Sequence, residues 1–292
     1  MIIRDLKYFD PGKIALSGQA FRINIIDETH TELVAFGRYL QIAQTSFCDS
    51  GDGYTYAFTC NETEFEEIWH PYFDLGRDYE AIESSIDNGD SYLKRAAIYS
   101  RGIRILRQDP WEMIMSYIIS QRRSIPAIKT SVERIARSYG KQIDMTQIIS
   151  DIKSHEDIFV MPMYDEYFAF PSATELKNVT SKDFADAGVG YRADYLWLAV
   201  QDVLSGKIDL DSLSTLTDDQ LLEVLLSMKG VGIKVANCVS LFGFNRTSAF
   251  PIDVWIARII DRHYAGSFDY KIFGNDAGII QQFMFYYERT AR

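Results

Sequence analysis

The amino-acid sequence predicts an α+β protein, with an antiparallel β-sheet domain in residues 1–102 followed by an all-α domain in residues 103–292. Two observations carry this prediction. Alternating apolar and polar residues, bounded by glycine and aspartate turns, recur up to about residue 60. From Ile103 onward, apolar residues recur at spacings of three and four, which is the period of an amphipathic helix. At 292 residues the chain is long for one domain, so two packed domains are expected.

In the first domain the pattern predicts four strands and two helices. The strands are expected at residues 13–17, 20–26, 33–42 and 54–60, the last after a turn at residues 49–53. The helices are expected at residues 79–86 and 90–100. Gly18 follows the first predicted strand, and by composition alone it would be an ordinary turn glycine.

The second domain begins with two predicted helices that meet at a charged corner. Pro110 suits a helix start, and residues 111–120 are apolar on most sides, which predicts a buried helix. The next helix carries apolar residues at helical spacing over residues 125–139. Arg122 and Arg123 lie at the corner, where two adjacent arginines are usually solvated charges.

A helix-hairpin-helix is predicted at about residues 221–243, where Gly230-Val231-Gly232 separates two apolar helical runs. The glycines let the backbone come close to a partner, and the free N–H groups at the start of the second helix suit a phosphate oxygen. Lys229 beside the turn would add a phosphate contact. The hairpin therefore predicts binding to a nucleic-acid backbone that does not depend on the base sequence.

Three side chains around the second hairpin helix are candidates for chemistry. Lys234 and Cys238 are four residues apart, so both project from one helix face. Asp253 stands just before the apolar residues of the next helix, where it is expected to be the N-cap. A capping carboxylate stays ionised because it accepts backbone N–H bonds at the positive helix end. Taken singly, Lys234 would be a solvated lysine and Asp253 only a cap.

Together these stretches resemble the 8-oxoguanine DNA glycosylases of the helix-hairpin-helix, Gly/Pro-rich, aspartate superfamily. Six matches occur in the family's order, at residues 18–22, 104–110, 190–193, 228–238, 251–253 and 281–285. The resemblance implies a TBP-like N-terminal sheet and a helical glycosylase domain. It also implies a DNA N-glycosylase and DNA-(apurinic or apyrimidinic site) lyase that excises 8-oxoguanine from double-stranded DNA in base excision repair.

The resemblance implies that Lys234 and Asp253 are the catalytic residues. Lys234 would attack C1′ of the sugar as the base departs, which requires a neutral amine and yields a Schiff base that permits β-elimination. Asp253 would stabilise the oxocarbenium-like sugar.

For the extruded base, the resemblance implies a pocket formed by Gly18, Cys238, Gln281 and Phe285. Cys238 and Phe285 would sandwich the purine, and Gln281 would hydrogen-bond its Watson–Crick edge. The Gly18 carbonyl would accept a hydrogen bond from N7–H, a group that 8-oxoguanine has and guanine lacks.

Contacts with DNA are implied at three places. The hairpin residues Lys229, Gly230, Val231 and Gly232 would hold the backbone. Arg122 and Arg123 would fill the gap left by the extruded base, Tyr191 would wedge into the stack, and Arg192 would reach the orphaned opposite base.

The sequence departs from the family pattern at four positions, one of which is Lys229 in place of the hairpin proline. Arg122 stands where the family has asparagine, Ala127 where it has the arginine that helps recognise an opposite cytosine, and Trp255 where it has histidine. The preference for the opposite base is therefore left open.

The net charge of −11 is unlike the basic footprint of most DNA-binding proteins. The acidity is local, however, because residues 1–90 alone sum to −11, whereas residues 101–140 hold eight Arg or Lys against three Asp or Glu. A local basic face can still bind phosphate, with weaker long-range steering.

Neither a cofactor nor a metal centre is expected, because Cys48, Cys60 and Cys238 have no metal-ligand spacing. The resemblance implies at most a structural cation at the hairpin carbonyls of Met228 and Val231. No apolar run approaches the span of a bilayer and the start has no signal-peptide pattern, so a cytoplasmic, nucleoid-associated monomer without membrane contact is expected.

Two alternatives remain open at this point. One is a glycosylase for another damaged base, although Lys234 argues against the simple alkylpurine type and the missing cysteine cluster argues against the endonuclease III type. The other is a non-catalytic helix-hairpin-helix DNA-binding protein, in which Lys234 only neutralises phosphate.

Overall fold

The computed structural model describes residues 1–48 and 53–291. Within them, five strands form one antiparallel sheet in the order β1-β5-β4-β3-β2, which confirms the predicted α+β class. The strands are β1 (Ile2–Leu6), β2 (Ile23–Ile25), β3 (His30–Ala35), β4 (Arg38–Phe47) and β5 (Tyr54–Phe58).

Helices make up most of the remaining chain. Those before residue 140 are α1 (Pro11–Leu16), α2 (Glu62–Glu64), α3 (His70–Tyr72), α4 (Tyr79–Ser85), α5 (Ser91–Tyr99), α6 (Pro110–Ser120) and α7 (Ile125–Tyr139). Those after it are α8 (Thr146–Ser154), α9 (Ser181–Phe184), α10 (Ala193–Leu204), α11 (Leu210–Leu213), α12 (Asp218–Ser227), α13 (Ile233–Gly243), α14 (Val254–His263) and α15 (Ala277–Thr290). Short π-helical segments lie at Phe65–Trp69 and Ala185–Val189, and 3₁₀ segments at Gly190–Arg192 and Tyr270–Asp276.

The structure corrects the sequence prediction in the first 60 residues. The strand predicted at residues 13–17 is helix α1, because Asp10 accepts a hydrogen bond from Lys13 N (2.8 Å) as an N-cap and Pro11 occupies the first turn. The strand predicted at 33–42 is a hairpin of β3 and β4, turned by Phe36 and Gly37 with φ of 52° and 69°. Strand β1 was not predicted, and the turn predicted at residues 49–53 lies outside the described residues except for Gly53.

Both faces of the sheet are covered, because successive strand residues point to opposite sides. Leu40 and Ile42 of β4 pack on a cluster that contains Trp69 and Phe73. On the other face, the residues of β4 and β5 pack against α8 and the segment that follows it, which gave no clear signal in the sequence.

Helices α4 and α5 pack with the second half of the chain. Tyr79, Ile82 and Leu93 belong to the same buried cluster as the residues of α6, α7, α13 and α15. The two regions that the sequence separates at residue 102 are therefore joined by a shared core.

The motifs at residues 18–22 and 104–110 meet at the junction between the sheet and the helices. Gln19 donates from Nε2 to the Arg104 carbonyl (2.9 Å) and accepts at Oε1 from Leu106 N (2.8 Å). The buried Arg104 guanidinium donates to four backbone carbonyls, of Tyr8, Phe73, Asp74 and Arg77. This network holds residues 17–19 against the helical core.

Arg104→Met should destabilise the fold by about 3 kcal/mol or more, because it leaves several buried carbonyl oxygens without donors. The measurement is chemical denaturation at neutral pH, with Arg95→Met on the exposed side of α5 as the matched control. Equal stability of the two variants would contradict the structural role given to Arg104.

Candidate active site

Both predicted catalytic residues and all four predicted base-binding residues line one cavity of about 50 Å³. The cavity lies between the loop that follows α1, helices α6, α13 and α15, and the segment that precedes α14. Its wall consists of Ser17, Gly18, Tyr117, Lys234, Cys238, Phe242, Pro251, Asp253, Gln281, Gln282 and Phe285.

Lys234 is half-buried, and its Nζ lies 5.7 Å from the centre of the Tyr117 ring. Cys238, one turn further along α13, is buried beside it. Burial raises the pKa of the Cys238 thiol to about 11, although the positive charge of Lys234 opposes this shift. At neutral pH the Cys238 thiol is therefore protonated, so it forms a polarisable part of the cavity wall and does not act as a nucleophile.

Asp253 is the N-cap of α14, as the sequence predicted. Its Oδ1 accepts hydrogen bonds from the backbone N–H groups of Trp255 and Ile256, each at 2.9 Å. Both bonds use the same oxygen, so the capping contact fixes the carboxylate at the cavity wall while Oδ2 takes no part in the cap. The charge also sits at the positive end of the α14 dipole.

Gly18 has φ of +78°, a backbone conformation that side chains rarely adopt. A Cβ atom here would lie 3.1 Å from Ile125 Cδ1 and from Arg289 Nη1, and 3.4 Å from Phe285 Cε1. The preceding carbonyl, of Ser17, accepts a hydrogen bond from Gln282 Nε2 (2.8 Å). The backbone conformation therefore favours glycine, and a side chain here would press on the side chains of the cavity wall.

Gln281 and Phe285 share one face of α15. Gln281 is only 5% exposed, and its Nε2 donates to the Pro251 carbonyl (3.2 Å). Its Oε1 is buried and has no hydrogen-bond partner within the described residues. This acceptor can take a hydrogen bond from an N–H group that enters the cavity.

Several cavity residues were missed by the sequence analysis. Tyr117 stacks on Phe242 with ring centres 5.8 Å apart, and its hydroxyl donates to the Gln19 carbonyl (3.2 Å). The sequence analysis did not select Tyr117, because this residue lies in a helix that is apolar on most sides. Arg289 lies at the rim, with its guanidinium 5.1 Å from the Phe285 ring centre. The spacing of four along Gln281, Phe285 and Arg289 would have placed it on the same face.

The hairpin turn between α12 and α13 is shaped by Gly230. Its φ is +86°, and its carbonyl accepts a hydrogen bond from Gln121 Nε2 (2.9 Å). Lys229 and Gly232 are exposed, whereas the Val231 side chain is buried, so Val231 can contact DNA only through its backbone. Gly232 caps α13 without a side-chain hydrogen bond, which leaves the N–H groups of the first turn open to an anion.

The α6–α7 corner and the turn at residues 188–192 lie side by side. Arg122 is exposed and has φ of +52°, whereas Arg123 donates from Nη1 to the Gly188 carbonyl (2.7 Å). Tyr191 is 56% exposed and suits a wedge. Arg192 is only 6% exposed and lies 4.3 Å from the Tyr191 ring centre, so its guanidinium would have to leave this position to reach a base.

In residues 1–48 and 53–291 no group of three or more His, Cys, Asp or Glu residues is arranged to hold a metal ion. The same part of the chain contains no helix that is both long enough and apolar enough to cross a membrane.

The sequence is also similar to those of known proteins. Residues 1–114 match the family described as the N-terminal domain of 8-oxoguanine DNA glycosylase. A probable N-glycosylase/DNA lyase of Methanothermobacter thermautotrophicus is 30% identical over 237 residues, which cover 75% of this chain and 73% of that protein.

Solved structures extend the similarity over the whole chain. The 8-oxoguanine glycosylase/lyase of Clostridium acetobutylicum, in complex with double-stranded DNA containing cytosine opposite 8-oxoguanine, superposes with a TM-score of 0.83 at 30% identity and covers 100% of this chain and 98% of that one. MBOgg1 in complex with a low affinity DNA ligand superposes with a TM-score of 0.84 at 32% identity, covering 100% and 99% of the two chains.

Gly230→Ala should destabilise the hairpin by about 1–3 kcal/mol, because φ is positive and the new Cβ would lie 2.3 Å from the Tyr195 ring. Gly76→Ala is the control, since Gly76 is an exposed turn residue outside the hairpin and the nearest atom to the added Cβ, His70 Cε1, lies at an ordinary contact distance of 3.7 Å. Thermal unfolding of both variants tests this, and equal melting temperatures would contradict it.

Proposed function

The chain belongs to the 8-oxoguanine DNA glycosylase family of N-glycosylase/DNA lyases, and from this membership we propose that it excises 8-oxoguanine from double-stranded DNA and then cleaves the strand. One observation carries the proposal. An amine, a carboxylate and the predicted base-reading groups all line a single cavity. The alternative of a non-catalytic DNA-binding protein does not account for Lys234, which lies in this cavity and not on the exposed hairpin turn.

Entry of the base requires the cavity to open. A space of about 50 Å³ is too small for a purine, so Phe285 and the Arg289 side chain that lies over it move aside as the nucleotide is extruded. Extrusion costs a few kcal/mol, which the contacts in the pocket offset. Cys238 and Phe285 then hold the two faces of the ring.

Selectivity for the lesion comes from the Gly18 carbonyl. In 8-oxoguanine N7 carries a hydrogen and donates to this carbonyl, whereas in guanine two acceptor lone pairs would face each other. The difference is about 1–3 kcal/mol, or roughly tenfold to hundredfold in selectivity. The Gln281 Oε1 atom, which has no partner within the described residues, accepts from the Watson–Crick edge.

Lys234 acts as the nucleophile. The free-amine form of its Nζ bonds to C1′ while the bond from C1′ to the base nitrogen breaks, and the base leaves with the electron pair and takes up the proton that Nζ then loses. The C1′–O4′ bond breaks next, O4′ takes up a proton from solvent, and a protonated imine forms between Nζ and C1′. Loss of a proton from C2′ then expels the 3′ phosphate, which is the β-elimination that nicks the strand.

Asp253 stabilises the positive charge that develops on the sugar. Its carboxylate is held by two backbone N–H groups, so its position at the cavity wall is fixed before the reaction begins. A preorganised charge needs no rearrangement in the transition state.

The hairpin and the two neighbouring corners bind the DNA. Lys229 and the open N–H groups of the first turn of α13 hold a phosphate, and Arg122 and Tyr191 project toward the space that the extruded base leaves. Arg123 stabilises the Gly188 turn beside them, and Arg192 becomes available to the opposite base when it leaves its buried position.

A cation at the hairpin would be coordinated by backbone carbonyl oxygens alone. The Gly230 carbonyl accepts from Gln121, and the Met228 carbonyl accepts from Val231 N (3.1 Å), so a hard cation would use the second lone pair of Met228 O together with the Val231 carbonyl and would add an electrostatic link to phosphate. We also propose that the protein acts as a monomer on chromosomal DNA in the cytoplasm, because one chain supplies every group at the site.

Lys234→Gln should abolish the covalent adduct that borohydride traps with an 8-oxoguanine duplex, because no amine remains at C1′. The control is Lys229→Gln, which removes an exposed lysine of the same hairpin and should weaken binding but retain trapping. An adduct of undiminished yield in Lys234→Gln would refute the assignment of the nucleophile. Nicking of a uracil or thymine-glycol duplex, with none on 8-oxoguanine, would refute the substrate.

Asp253→Asn should lower the rate of excision on the order of 100-fold while lesion binding stays within a few-fold. Asparagine caps helices about as well as aspartate, so the variant removes the charge and keeps the fold. Asp269→Asn, at another capped segment outside the cavity, is the control and should excise normally. Full activity of Asp253→Asn under single-turnover conditions would exclude a role for the charge.

A further inference from the structure

We propose that Gln121 is a positioning residue, which joins the phosphate-binding hairpin to the α6–α7 corner so that binding of the DNA backbone drives extrusion of the base. This inference rests on the proposed function. Gln121 is half-buried and ends helix α6 as its C-cap. Its Nε2 donates to the Ile118 carbonyl (3.1 Å) and to the Gly230 carbonyl of the hairpin turn (2.9 Å). Both hydrogens of the amide are therefore used, and one of these bonds connects two segments that face the DNA.

The corner that follows Gln121 is a strained turn. The Arg123 N–H donates to the Ser120 carbonyl (3.2 Å), Gln121 has φ of −57° and ψ of 121°, and Arg122 has φ of +52°. This is the pattern of a type II turn, in which the third residue is usually glycine or asparagine because its φ is positive. An arginine keeps such a conformation only where the surrounding contacts fix it.

Contacts on both sides of Arg122 supply this restraint. Before it, the Gln121 amide is bonded to the hairpin. After it, Arg123 Nη1 donates to the Gly188 carbonyl (2.7 Å) and to Ser131 Oγ (3.1 Å). The exposed Arg122 is thus presented by a turn whose two neighbouring residues are anchored to different parts of the DNA-facing surface.

A second link runs from the same hairpin residue to the wedge residue Tyr191. Gly230 lies against the Tyr195 ring so closely that an added Cβ would be 2.3 Å from Cδ2. The half-buried Tyr195 ring meets the Tyr191 ring edge-on, with centres 6.1 Å apart and planes at 82°. Gly230 is therefore the point at which the hairpin is connected both to the corner, through Gln121, and to the wedge, through Tyr195.

These links fix the spacing between the phosphate site and the groups that enter the base stack. The hairpin can bind a phosphate on damaged and undamaged DNA alike. Extrusion is more demanding, because Arg122 and Tyr191 have to enter the stack at a set distance from that phosphate. A hairpin that shifted by about 1 Å relative to the corner would still bind DNA, but the entering side chains would be misplaced. Gln121 prevents this shift.

Gln121→Met removes both amide donors and keeps the length of the side chain. In single-turnover assays it should lower the rate of excision of 8-oxoguanine paired with cytosine about fivefold to tenfold, as expected for the loss of a hydrogen bond to a carbonyl. Affinity for undamaged duplex and its salt dependence should stay within about twofold, because no phosphate contact is removed. The control is Gln147→Met, which removes an amide donor to Asp151 on α8 and should change neither quantity.

An unpaired lesion separates extrusion from chemistry. Opposite an abasic analogue, 8-oxoguanine has no base pair to open, so its extrusion costs less. Gln121→Met should excise this lesion at a rate within about twofold of that of the unmodified protein. An equal loss of rate on the paired and the unpaired lesion would mean that Gln121 acts on the chemistry or on the fold, and would overturn the proposal.

Two substitutions of Tyr195 cover the case in which Gln121→Met does not fold. Tyr195→Leu removes the ring that supports Gly230 and should lose activity selectively on the paired lesion. Tyr195→Phe keeps the ring and should excise both lesions normally. Equal rates of the two variants on the paired lesion would contradict the link through Gly230.

The same assays distinguish failure of this inference from failure of the proposed function. No excision of 8-oxoguanine by the unmodified protein would refute the proposed function and this inference with it. Excision of the paired lesion by the unmodified protein and by Gln121→Met at the same rate would refute the positioning role alone.

Discussion

The hydrogen bonds from two backbone N–H groups to one oxygen of Asp253 are the interaction on which the site depends. They begin helix α14, and they also hold a carboxylate at the wall of a cavity that contains an amine. A free surface aspartate would lose this orientation to rotamer motion. The helix that carries the cap is anchored in turn by Ile256 and Ile259, which are buried in the helical core. The same two hydrogen bonds therefore stabilise the start of α14 and hold the Asp253 carboxylate in place.

Gly18 depends on a second network, which begins far away in the sequence. Its loop is held by Gln19 against the backbone of residues 104–106, and Arg104 ties that segment to four carbonyls of the N-terminal region. The Gly18 carbonyl is therefore positioned by both halves of the chain. This accounts for why the stretches at residues 18–22 and 104–110 occur together, although only Gly18 faces the catalytic cavity.

The sequence predicted the features that depend on neighbouring residues, and it missed features that depend on residues far apart in the chain. The cap at Asp253, the hairpin helices and the proline at the start of α6 are set by local chemistry, and they were predicted. Helix α1 was mistaken for a strand because the short apolar run at residues 14–16 fits either period, and the Asp10 cap decides the outcome. Tyr117 could not be predicted, because its place in the cavity depends on contacts between distant elements. Arg289 was missed, although its spacing of four from Phe285 would have placed it on the same face of α15.

The packing of α4 and α5 has a practical consequence. Tyr79, Ile82 and Leu93 precede the junction in sequence but fill the core of the helical region. A truncated fragment that started at residue 103 would lack these side chains, and the apolar surface they cover would face water. Such a fragment would aggregate when expressed alone, so biochemical dissection of this enzyme has to proceed by point substitution and not by deletion.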